Sequence, residues 1–68
     1  MDRMHEIIVG NIGTVYSGNI AADAGKVYRE YVLSSAAATS SSGRVAGEDV
    51  TWMRDGEVFR EFIGKLHR

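Results

Sequence analysis

The chain has 68 residues, of which 44% are hydrophobic and 25% charged, with a formal net charge of −1 at pH 7. That balance excludes a disordered chain and supplies no basic excess for phosphate contacts, so nucleic acid is not an expected partner. There is no cysteine, which removes disulfides and thiolate metal sites; a domain this small buries only about 60% of its unfolded surface, so association is the expected aid to stability.

Glu6-Ile7-Ile8-Val9 is short and β-branched, the composition of a strand. Gly10-Asn11 follows, and both residues tolerate positive φ, which suits a hairpin turn. Ile12 to Tyr16 then reads as a second strand. This register sets Val9 against Ile12 and Ile7 against Thr14, with Tyr16 on the same side. The alternative is one strand kinked by a bulge at Gly10 or Gly13.

Asn19 predicts an N-cap, because its side-chain oxygen accepts an early helical N–H. From there Ile20, Ala24, Val27, Tyr28 and Tyr31 recur at helical spacing, and Ser34 or Ser35 continues the stripe. Asp23, Lys26, Arg29 and Glu30 take the opposite side. The helix is expected over residues 20 to 34, or on into Ala36-Ala37-Ala38. Gly25 in its interior costs about 1 kcal/mol relative to alanine, and close packing of helix on sheet is the expected reason. Residues 34–49 are rich in serine, alanine and glycine, and 39–49 form a long loop.

Asp55-Gly56 then marks a two-residue hairpin turn between apolar arms. The register opposes Arg54 with Glu57, Met53 with Val58, Trp52 with Phe59 and Thr51 with Arg60. One face carries Val50, Trp52, Phe59 and Ile63, and is expected to lie under the helix. The other carries Met53, Val58 and Phe62, and is expected to be a contact surface. Residues 64–68 are a basic tail.

Catalytic constellations are absent from the sequence. Gly25-Lys26 lacks both the glycine five positions earlier and the following Ser or Thr of a phosphate loop. His5-Glu6 lacks a second histidine four residues on, and no serine sits in a nucleophile elbow. The chain is therefore expected to be no enzyme and to need no cofactor. Glu48-Asp49 reads as a solvated loop end rather than a cation site. If a nucleotide or small anion is bound, Ser42, Gly43, Arg44, Gly47 and Glu48 form the expected loop, with the Gly43 and Gly47 N–H groups assisting. A weak single-stranded nucleic-acid binder would use Arg54, Arg60, Lys65 and Arg68 beside the aromatics. However, strict alternation puts Arg54 and Arg60 on opposite faces. Tyr16, Tyr28, Tyr31 and Trp52 are expected in the core. No apolar run reaches the length of about 18 residues that a span needs, and residues 1–9 carry no secretory signal, so a soluble, cytoplasmic protein without membrane contact is expected.

Asn11-Ile12-Gly13-Thr14-Val15-Tyr16-Ser17-Gly18, Gly43-Arg44-Val45-Ala46-Gly47-Glu48-Asp49-Val50-Thr51 and Asp55-Gly56-Glu57 together resemble small open reading frames of phage or prophage type. The resemblance implies a protein that binds and blocks, or adapts, a larger component, and it implies no site residue. The expected architecture is α+β, a single domain over residues 1–68 with one helix on a three- or four-stranded antiparallel sheet, in ββαββ or βαββ order. The expected function is a non-catalytic protein-interaction module that forms homo-oligomers.

Overall fold

The β-branched run Ile7-Ile8-Val9 lies in β1 (His5–Val9), an interior strand of a four-stranded antiparallel sheet. The structure is a computed structural model that describes residues 3–10, 12–37 and 47–64. Along the chain β1 is followed by β2 (Gly13–Gly18), α1 (Ala21–Ala37), β3 (Val50–Arg54) and β4 (Glu57–Phe62). The sheet order is β2-β1-β3-β4, so the α+β, ββαββ architecture is the one found. Among the described residues no helix is long and apolar enough to cross a membrane.

The first hairpin departs from its expected register. The Ile12 N–H donates to the Val9 carbonyl at 3.0 Å, but the strand partner of Val9 is Gly13, at φ 101°. Ile8 opposes Thr14 and Ile7 opposes Tyr16, with the register shifting between Ile7 and Ile8. Ile12 is thus part of the turn, and the ladder steps over Val15. The longer turn moves the partner of Ile7 from Thr14 to Val15, and the bulge, which leaves one extra residue on β2, moves it on to Tyr16.

The helix opens one residue later than an Asn19 cap implies. The Ile20 carbonyl accepts from Ala24 N–H at 3.0 Å, the first helical bond, and also from the Tyr16 hydroxyl at 3.3 Å. Ala24 and Ser35 are buried, and Val27, Tyr28, Tyr31 and Val32 pack against the core. Asp23, Lys26, Arg29 and Glu30 are exposed, so the amphipathic stripe runs as its spacing dictates. Ser35 closes the far end: its hydroxyl donates to the Glu48 carbonyl at 2.6 Å, and its own carbonyl accepts from Gly47 N–H at 3.1 Å.

Helix α1 packs on β1, β2 and β3 and leaves β4 beyond its edge. Among the described residues the buried apolar core is Ile7, Val9, Ala24, Val50 and Trp52. Gly25 lies over Trp52, and a Cβ there would meet the indole Cη2 at 3.4 Å, an ordinary contact. Packing is close at this point, yet alanine would fit.

Asp55 and Gly56 take φ of 54° and 83°, the left-handed pair that a two-residue hairpin turn requires. Arg54 opposes Glu57 and Met53 opposes Val58. Beyond that the register shifts: Trp52 opposes Arg60, Thr51 opposes Glu61 and Val50 opposes Phe62. Phe59 is the extra residue, which corrects the expected Trp52–Phe59 and Thr51–Arg60 pairs. The step of one residue reverses the parity of β4, so Arg60 and Phe62 turn to the helix side. Phe62 packs against the core and does not share a face with Met53 and Val58.

Asp55 also ties the hairpin to the start of β1. Its carboxylate accepts from Met4 N–H at 2.9 Å and from Arg3 Nη1 at 2.8 Å, and its N–H donates to the Met4 carbonyl at 2.8 Å. The Met4 N–H above all, then Arg3 and Arg54, hold this carboxyl below its usual pKa, against an opposing push from desolvation. A pKa lowered by folding adds stability above the unfolded value and loses it as pH falls through the folded one. Asp55→Asn keeps a residue that tolerates this φ but removes the charge. At neutral pH the variant should melt below the wild type, and the gap should close between about pH 5 and pH 2. A gap independent of pH would show that the charge contributes nothing.

Candidate functional site

Because α1 stops short of β4, a groove of about 450 Å³ opens between them. Its floor is Gly25 and Trp52, its helix wall Tyr28, Arg29 and Val32, and its strand wall Phe59 and Arg60. Trp52 is the hub. Its ring meets Phe59 edge-on at 4.9 Å and Tyr28 tilted at 5.5 Å. Its indole N–H donates to His5 Nδ1 at 3.1 Å, which fixes the ring plane from the sheet side.

The bulge at Phe59 changes the charge layout. Arg54 and Arg60, expected on opposite faces, both lie on the Trp52 face. Their guanidinium carbons sit 4.0 and 5.2 Å from the Phe59 ring centre, within cation–π range. Arg29 faces them from the helix. Among the described residues the one ion pair is Arg3–Asp55, so none of these three cations is ion-paired there, although Glu57 stands opposite Arg54 in the ladder. Burial raises the pKa of the Tyr28 hydroxyl, with Arg60 acting to lower it and Glu61 to raise it. Tyr28 therefore remains a hydrogen-bond donor at the edge of the groove.

The other expected sites fare differently. Ser42, Gly43 and Arg44 lie outside the described residues. Gly47 and Glu48 are held by structural bonds: the Gly47 N–H is committed to Ser35, and the Glu48 carbonyl accepts from the Ser35 hydroxyl. The Gly47 N–H is thus not available to cradle an anion. Asp49 is committed likewise, accepting from Gly64 N–H at 2.7 Å and, through its carbonyl, from Gly10 N–H at 3.0 Å. Lys65 and Arg68 lie outside the described residues. Among those described, no three His, Asp or Glu side chains come together as a metal set.

Met53 and Val58 stand opposite one another on the face of the sheet away from α1. Ile8, opposite Thr51, is the diagonal neighbour of Met53 on that face. Glu6 stands between Ile8 and Met4 on β1, opposite Met53, and Met4 touches Ser17 of β2. Val58 is 56% exposed and Met4 51%, while Ile8 and Met53 are half-buried. Ile8 and Met4 were missing from the sequence reading of this surface. Only the non-local pairing of β1 with β3 brings them there. The groove residues Tyr28, Arg29 and Val32 carried one local signal, the costly glycine at position 25.

Comparison of the chain with protein-family models, with curated proteins and with solved structures finds no match.

Proposed function

We propose that the chain is a non-catalytic protein-interaction module, of the adaptor or inhibitor kind that its resemblance to small phage reading frames implies. It self-associates through the helix-free face of its sheet. One observation carries this reading: a single helix covers one face, and on the other Ile8, Met53 and Val58, with Met4 beyond Glu6, stand with no layer over them among the described residues. A sheet with one bare apolar face gains by packing it against another layer. A second copy supplies that layer with the same patch, as a two-fold contact requires. The need is acute because among the described residues the buried apolar core comprises five.

Sedimentation at increasing concentration tests the proposal. The wild type should shift toward dimer in the micromolar range. Met53→Ser with Val58→Ser, at half-buried and exposed positions, should weaken association by about 100-fold or more, two tenfold steps of about 1.4 kcal/mol each. A wild type that stays monomeric at several hundred micromolar would overturn the self-association.

A further inference from the structure

The groove on the opposite side has a different character: aromatic walls, two arginines and an open strand beside it. We infer that β4 and the α1–β4 groove bind an extended peptide that alternates acidic and apolar side chains, taken up as a fifth strand. The inference rests on the interaction-module reading but uses the other face of the sheet.

Three observations converge. First, β4 is an edge strand, and five of its six residues are exposed, so its outer backbone groups are open to strand addition. Second, a strand added there would send every second side chain toward the helix side, where the groove lies. Arg29 and Arg60 line that groove without an ion-pair partner among the described residues, and Arg54 stacks on its Phe59 wall, so glutamate or aspartate is the complementary side chain. Third, Gly25 keeps the floor open. Alanine would fit against Trp52 at an ordinary 3.4 Å, so packing does not demand the helix-interior glycine, whereas an open groove does.

Other occupants match less well. A second copy pairing through β4 meets like charges. Two-fold antiparallel pairing centred on Arg60 opposes two guanidiniums, and centring on Glu61 opposes two carboxylates. Centring on Phe59 sets Glu57 against Glu61. A nucleic-acid strand needs an unbroken cationic track, and Glu57, opposite Arg54 on this face, interrupts this one.

Trp52 is the only tryptophan and forms the groove floor, so its emission reads occupancy. The full chain is titrated with a short acetylated, amidated peptide alternating glutamate with valine. The same peptide with lysine for glutamate, the same peptide N-methylated on alternate amides, and an oligothymidylate serve as comparisons. The acidic peptide should give a saturable change with a Kd on the order of 10–100 µM, at least about tenfold tighter than either modified peptide. Arg60→Gln, and Arg29→Gln on the exposed side of the helix, should each weaken it by about three- to tenfold. Gly25→Ala should weaken it several-fold with the helical circular dichroism intact. No saturable response up to about 1 mM would overturn the inference. So would equal binding of the lysine peptide, or tighter binding of the oligothymidylate. Wild type that dimerises but ignores the peptide removes this inference alone. Wild type that binds the peptide but never dimerises removes the proposed self-association alone.

Discussion

Trp52→Ala is expected to cost about 3–5 kcal/mol, as large aromatic truncations in a core do. A 68-residue chain has a total stability on the order of 3–10 kcal/mol, so this one change should leave much of the population unfolded at 37 °C. The effect follows from position. Trp52 is 9% exposed and joins three elements: Gly25 and Tyr28 on α1, His5 on β1 and Phe59 on β4. Because the helix does not cover β4, the edge-on contact of Phe59 with the indole is a main tether of that strand's helix-side face. Phe62 against the core is the other. Thermal melting followed by circular dichroism should show a drop of roughly 15 °C or more. Trp52→Phe should cost less, since a ring still meets Tyr28 and Phe59. A fall of only a few degrees for Trp52→Ala would mean that β4 is held by its backbone ladder and that the aromatic cluster is incidental.

That cluster also shows where local sequence signals stop. The stripe of Ala24, Val27, Tyr28, Tyr31 and Ser35 is written in the 3.6-residue period of the helix, and no tertiary contact is needed to read it. The Asp55-Gly56 turn is equally local, because few residues other than Gly, Asn and Asp take two successive positive φ values cheaply. Arg54–Glu57 and Met53–Val58 follow from it. The bulge at Phe59 has no such signature. No glycine marks it, and the adjacent apolar residues Val58-Phe59 read equally well as a regular ladder with apolar side chains on both faces. What favours it is tertiary: the Phe59 ring meets Trp52 edge-on and is flanked by Arg54 and Arg60. Every residue after it changes face, which is why Phe62 leaves the Met53–Val58 surface and Arg60 joins the groove. Ile8 escaped for a related reason. It meets the Met53 surface only through the pairing of β1 with β3, across more than 40 residues of chain. The fold class is thus legible from periodicity, while the surfaces depend on one unpaired residue and one long-range ladder.

His5→Leu is expected to be the second costly change, by about 1–3 kcal/mol, through a mechanism separate from packing. The indole N–H of Trp52 only donates, so His5 Nδ1, 3.1 Å away, must be the acceptor and the neutral ring carries its proton on Nε2. His5 is 4% exposed. Leucine matches its bulk but offers no lone pair, and the indole N–H would remain buried without a partner. Asparagine can place an amide oxygen near the Nδ1 position, so His5→Asn should recover part of the loss. A double-mutant cycle isolates the bond: in the Trp52→Phe background there is no N–H to strand, and the cost of His5→Leu should shrink by about 1–2 kcal/mol. Urea unfolding followed by circular dichroism measures all four corners, since Trp52 emission is lost in two of them. Strict additivity would show that His5 acts by shape alone. Coupling would show that the β1 histidine fixes the plane of the indole. The floor of the peptide groove would then be set from beneath, by a strand that takes no part in lining it.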